Sequence, residues 1–173
     1  ISATLRNLDF FFKEGITYTY ITSGMFSARY SSETSTYSGA GPGVFCEKMY
    51  YLLGFLNSKV FMYLIRLLKG ETERYETGDV ESVPLLSFRQ TDEKNIESLV
   101  KNLINISRIE WDSFEVSWDF KQHPLLTHKK ESKTIEQAFS NWASFAEQQF
   151  YKLKANEEEL NRIFIELYGL QDE

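Results

Sequence analysis

Proline, cysteine and histidine are scarce in this sequence, and each shortage closes off a kind of chemistry. The three prolines, Pro42, Pro84 and Pro124, are never adjacent. An Asn/Asp-Pro-Pro-aromatic motif, which holds the exocyclic amine of a flipped base in amino-methyl transfer, is therefore absent. The single cysteine, Cys46, excludes an internal disulfide and fits a reducing compartment, so the expected location is cytoplasmic. His123 and His128 are the only histidines, too few and too far from Cys46 in sequence to suggest a metal-ligand cluster. Catalysis by this chain alone is not expected, and neither is a metal. The opening at Ile1, with no leader pattern, and the end at Asp172-Glu173 suggest an internal piece of a longer protein.

Positive charge is also in deficit. The net charge is −6, whereas small autonomous nucleic-acid binders are usually strongly basic. The deficit is uneven. Residues 1–86 carry 8 Lys/Arg against 9 Asp/Glu, and residues 87–173 carry 11 against 16. A near-neutral, aromatic first half can still read DNA if another domain supplies most phosphate contacts.

What is present divides into two regions. In residues 16–22, Ile16, Tyr18 and Tyr20 alternate with Thr17 and Thr19, the period-2 pattern of a strand, with Gly15 as a turn before it. Residues 31–43 form a polar Gly/Ser-rich loop. Glu47 to Leu68 reads as one buried helix; Asn57, Ser58, Lys59 and Arg66 argue against a membrane span. Gly70 ends it, and Val80–Leu86 reads as a strand closing at Pro84. A helix capped by Thr91 or Asp92 then carries Ile96, Leu99, Val100, Leu103, Ile106 and Ile109. Trp111, Trp118 and Phe120 are expected to anchor a connecting strap to a core. Thr134 and Gln137 form a capping-box pattern before a last helix on the order of 50 Å long, ended by Gly169-Leu170. The fold class is α+β: a small, mainly antiparallel sheet packed on a buried helix, then a helical domain. The expected division is 1–90 and 91–173.

Gly39, Gly41 and Gly43 lack the strand-loop-helix setting of a cofactor loop and read as a flexible segment. Two C-terminal stretches, WDSFEVSWDFKQHPLL (111–126) and LKANEEELNRIFIELYGLQDE (153–173), carry a resemblance. So do EGITYTYITSGMFSARY, LLGFLNSKVFMYLIRLL and TGDVESVPLL, in that order, in the first half. Together they resemble the C-terminal target-recognition region of PglX-type adenine-specific DNA methyltransferases of the BREX phage-defence system. They are similar, more broadly, to type IIG restriction–modification enzymes and, more distantly, to type I specificity subunits. The resemblance implies a DNA-reading fragment acting on double-stranded DNA. An upstream methyltransferase domain of the same chain would bind S-adenosylmethionine and methylate adenine N6. Relatives tend to have Asn-Pro-Thr after the buried helix where this chain has Lys69-Gly70-Glu71-Thr72, so no base preference carries over.

Base edges are read by Arg, Asn and Gln, and phosphates by Lys, Arg, hydroxyls and amides. The candidates for DNA contact are Lys13, Thr17, Tyr18, Arg29, Tyr30, Ser38, Lys69 and Arg74, with Tyr20, Ser27, Ser35, Thr36, Tyr37 and Tyr75 nearby in sequence. The competing expectation is that Tyr18 and Tyr20 face the core and that Glu71, Glu73 and Glu76 pair with Arg74. The acidic second half, including Glu157-Glu158-Glu159, is expected to be a spacer or docking element. The alternative function is a helical protein-interaction module that docks other defence-system proteins or an inhibitor.

Overall fold

The alternation at 16–19 does form a strand. In the computed structural model, which describes residues 7–70, 73–86 and 90–172, β1 (Gly15–Tyr18) is the centre of a three-stranded sheet. It pairs antiparallel with β2 (Ala28–Ser31) on one side and β3 (Gly43–Val44) on the other. Gly15 opens β1 instead of forming a turn before it, because a ring must pass over it. A Cβ there would lie 2.9 Å from the Phe45 ring, and one on Gly43 would lie 2.7 Å from the Tyr37 ring. The expected loop at 31–43 therefore contributes residues to strands at both ends.

The inner face of the sheet packs on two helices where one was expected. α1 (Met49–Leu56) and α2 (Lys59–Lys69) meet at a 68° bend. The break follows from Asn57-Ser58. The Ser58 hydroxyl accepts the N–H of Phe61 at 3.1 Å and caps α2. The Asn57 carboxamide accepts from the Ala28 N–H and donates to the Ala28 carbonyl, both at 3.0 Å. Ser27 turns its carbonyl to the N–H of Thr19, just past β1, so Ala28 turns its groups to the open edge of β2, where Asn57 takes both. Ile16, Tyr18, Phe26, Phe55, Phe61, Ile65 and Tyr75 make the core, with Phe26 against Phe61 at 4.7 Å and against Tyr18 at 5.2 Å. Full burial of each such side chain contributes about 1.5–3 kcal/mol. No single helix among the described residues is long and apolar enough to cross a membrane, although the bent pair has the length and composition.

The strand expected at 80–86 is not formed. Thr77–Ser82 is a short helix, α3, whose Asp79 carboxylate accepts from the Glu76 N–H at 3.1 Å and pairs with Lys69. Residues 84–86 are non-helical, held by side chains instead of a neighbouring strand: Tyr168 donates to the Pro84 carbonyl at 2.7 Å, and Tyr51 donates to that of Leu86 at 2.6 Å. Tyrosine hydroxyls replace the ladder that the pattern anticipated.

α4 (Gln90–Trp111) begins before Thr91 and Asp92, so neither is its cap; the preceding position lies outside the described residues. After α5 (Pro124–Thr127), α6 (Ile135–Tyr168) runs 34 residues. Thr134 accepts from the Gln137 N–H at 3.2 Å as expected of a cap, while the Gln137 carboxamide takes the Lys133 N–H at 2.9 Å. At the far end the Leu170 N–H reaches the Ile165 carbonyl and the Gly169 N–H that of Glu166, satisfying carbonyls the last turn leaves open.

The chain forms two compact units. One holds residues 1–97 and 160–173, in which Phe164 and Tyr168 pack on Phe55, at 5.7 and 5.6 Å between ring centroids. The other holds 98–159, in which His128 packs on Phe145 at 4.5 Å and the Asn141 carboxamide donates to the His128 carbonyl. The described architecture is thus α+β, with a small antiparallel sheet and a long C-terminal helix.

Candidate nucleic-acid interface

A strand exposes alternate residues to opposite faces, so the register decides which candidates can act together. Thr17 lies opposite Arg29, and Ile16 opposite Tyr30. Thr17, Thr19, Ser27 and Arg29 therefore share the outer face, and Ile16, Tyr18 and Ala28 share the inner one. On the outer face the Arg29 guanidinium donates to the Thr19 hydroxyl at 2.8 Å, and that hydroxyl lies 3.1 Å from the Ser27 hydroxyl. One end of this face is roofed by Tyr37 and Phe45, which stack edge-on at 5.0 Å over Gly15 and Gly43. The other end is open. There a concavity of about 330 Å³ is lined by Tyr18, Thr19, Tyr20, Ile21, Arg29 and Ala40.

The loop 32–42 delivers Ala40 to this concavity because its base and its tip are both fixed. Tyr37 donates its hydroxyl to the Lys13 carbonyl at 3.1 Å, and Ser38 and Gly41 exchange backbone hydrogen bonds at 3.1 Å. The segment after α2 reaches the same rim. Ile21 bridges to Arg74, the Thr22 N–H donates to the Glu73 carbonyl at 2.9 Å, and the Tyr75 N–H donates to that of Tyr20 at 2.8 Å.

The sequence candidates divide accordingly. Thr17 and Arg29 come together on the open face, Ser38 stands exposed at the loop tip, and Arg74 is exposed beside Ile21. Arg29 sits on a strand, not in a loop. Tyr18 is 2% exposed, and its hydroxyl is buried without a hydrogen-bond partner among the described residues; burial, then the nearby Glu81, pushes its pKa up to about 12. It belongs to the core, not to the polar face. Tyr30 lies off the Arg29 face, donating to Glu14 at 2.5 Å and stacking on Tyr50. Lys13 lies over the Phe10 ring at 5.7 Å. Lys69 is bound to Asp79 and to the Arg74 carbonyl and lies over the Tyr75 ring, so its charge is already matched. The hydrogen bond from Lys69 holds the Asp79 carboxyl below its ordinary 3.8. Of this neighbourhood, Thr19 was anticipated only as a solvated alternation partner, and Ile21 and Ala40 not at all. The 17/19 and 27/29 alternation carries the signal for Thr19; nothing local marks Ala40.

Among the described residues, no group of three or more His, Cys, Asp or Glu side chains is placed to hold a metal ion. The Gly39–Gly43 run turns a hairpin tip and feeds β3, not a helix N-terminus.

Fold and site together define a small sheet domain with one face buried on helices and the other open, polar and arginine-bearing. No family model matches the sequence. The chain is 43% identical over 173 residues to the adenine-specific methyltransferase PglX of Lacticaseibacillus casei (strain Zhang), a match covering 96% of this chain and 14% of that protein. It is 31% identical over 176 residues to the adenine-specific methyltransferase BrxX of Escherichia coli O9:H4 (strain HS), covering 99% of this chain and 14% of that protein. The chain thus spans 14% of the length of these relatives.

Proposed function

We propose that this chain is the DNA target-recognition part of a BREX-type N6-adenine DNA methyltransferase, working in phage defence. Its similarity along almost the whole chain to two adenine-specific methyltransferases, each far longer, carries the reading. The catalytic domain that binds S-adenosylmethionine lies elsewhere in the longer polypeptide, flips the adenine and transfers the methyl group. This segment reads the surrounding sequence through the open sheet face. Arg29 is the reader, since an exposed guanidinium aimed by its bond to the Thr19 hydroxyl keeps donors for the O6 and N7 of guanine. Thr17, Thr19, Ser27, Ser38 and Arg74 supply hydroxyls and charge around it. The first half is near neutral, so most phosphate neutralisation falls to the rest of the enzyme.

The test is anisotropy titration of the full-length enzyme on a duplex holding its methylation site and on a scrambled duplex, at low salt. The site duplex should bind more tightly. Equal binding sinks the proposal. Arg29→Ala should cost about 1–3 kcal/mol on the site duplex and shrink the preference. Weakening of both duplexes alike, with a shallower salt slope, would make Arg29 a phosphate contact instead.

A second reading, a protein-docking role for the helical unit, is favoured by the exposed aromatic side chains between Trp111 and Trp118.

A further inference from the structure

Residues 110–119 (EWDSFEVSWD) leave α4 and form a strap with two properties that ordinarily exclude each other. Its aromatic and apolar side chains are exposed: Trp118 at 101%, Val116 at 72%, Trp111 at 57% and Phe114 at 51%. This overturns the expectation that the strap's tryptophans anchor it to a core. Yet its backbone is not left to solvent. The Ser117 side chain is buried, donates to Asp112 Oδ1 at 2.7 Å and accepts from the Asp119 N–H at 3.2 Å. Successive turns close it further, through Ser113 N–H to Glu110, Phe114 N–H to Trp111 and Ser117 N–H to Phe114. The strap is thus an ordered presenter of Trp118, and much of the entropy cost of ordering it for a partner is already met.

Charge says what kind of partner fits. Glu110, Asp112, Glu115 and Asp119 alternate with the apolar side chains, and no Lys or Arg stands between Ile109 and Phe120. Four carboxylates repel a phosphate backbone and an anionic lipid surface alike. They suit a protein groove with an apolar floor and a cationic rim, in which an exposed tryptophan is a typical anchor. This chain carries a net −6, so an enzyme that grips DNA must carry its basic surface outside it. The relatives have most of their length outside the matched stretch.

We propose that the strap 110–119 docks into a Lys/Arg-rimmed apolar groove on the methyltransferase part of the longer polypeptide, with Trp118 as the inserted side chain. The inference rests on the reading that this chain is a segment of such an enzyme. The docked strap ties this segment to the catalytic part through the helical unit.

Hydrogen exchange on the DNA-free full-length enzyme and on the isolated 173-residue chain tests it. Amides 111–120 should exchange about tenfold or more slowly in the full-length enzyme. That protection should fall in Trp118→Ala and in the double variant Glu115→Lys/Asp119→Lys, and high salt should weaken it. The circular dichroism of the isolated chain should be unchanged by Trp118→Ala, which separates lost docking from lost folding. Equal exchange in both proteins overturns the inference, as does protection indifferent to charge reversal. Protection that rises with the concentration of the isolated chain also overturns it, since the occupant would then be a second copy. Loss of strap protection with site-specific DNA binding intact counts against this inference alone. Intact protection with no site preference counts against the recognition reading alone.

Discussion

Tyr18 places a hydroxyl among Phe26 and its neighbours where no described residue bonds it, and the cost falls on the folded state. Tyr18→Phe removes a buried unsatisfied group without changing the ring packing. It should leave stability unchanged or raise it by up to about 1 kcal/mol, measured by urea denaturation, and leave DNA affinity unaltered. Arg29→Ala should do the reverse, lowering site-specific affinity with stability nearly untouched, because its side chain is exposed and its hydrogen bond goes to the Thr19 hydroxyl on the open face. Asp79 has a different signature. Its folded pKa is depressed, chiefly by the Lys69 hydrogen bond. Its stabilisation is therefore fully present above the ordinary aspartate value and lost as pH falls from there through the lowered folded value. Asp79→Asn should be less stable than the parent at neutral pH, and the gap should narrow on acidification. Urea midpoints between about pH 7 and pH 3 measure it; a pH-independent gap would contradict the ion-pair account.

At the scale of elements, the break between α1 and α2 rests on two side chains, with Ser58 capping α2 and Asn57 tying the break to β2. Asn57 takes both backbone groups of Ala28 and bonds the Leu53 carbonyl at 3.1 Å. Asn57→Ala leaves polar groups of an almost buried strand residue without partners and should cost about 1–3 kcal/mol, read as a lower denaturant midpoint at unchanged m-value. This break was not legible in the sequence, because two polar residues inside an apolar run look like tolerated positions on one helix. What makes them a break is a strand 29 residues earlier in sequence. α3 was missed for a similar reason: TGDVES has weak helix preference and is fixed by Lys69. By contrast α6 was readable in advance, since its apolar spacing, its Thr134 cap and Gly169-Leu170 are all local signals. The open sheet face was half-readable: alternation placed Thr17 and Thr19 together, but only the strand register adds Arg29.

For the whole molecule, the two units differ in what they expose. The sheet unit presents hydroxyls and an arginine, and the helical unit presents carboxylates and indole rings. Trp118→Ala should change the stability of the isolated chain by no more than about 0.5 kcal/mol, measured by thermal or urea unfolding, because the ring touches little of its own fold. A larger loss would mean that the ring is packed in solution.

Tyr37 and Phe45 rest on Gly15 and Gly43 and clamp the loop at its base, while the four residues from Ser38 to Gly41 close on themselves at the tip. Anchor and tip are thus mechanically separate. A Cβ added on Gly39 would meet nothing within 4 Å, so a side chain can be added there without disturbing the strands. Such a hairpin works like an interchangeable bit in a fixed chuck: its tip can be rebuilt while the rings and glycines that grip its base stay as they are.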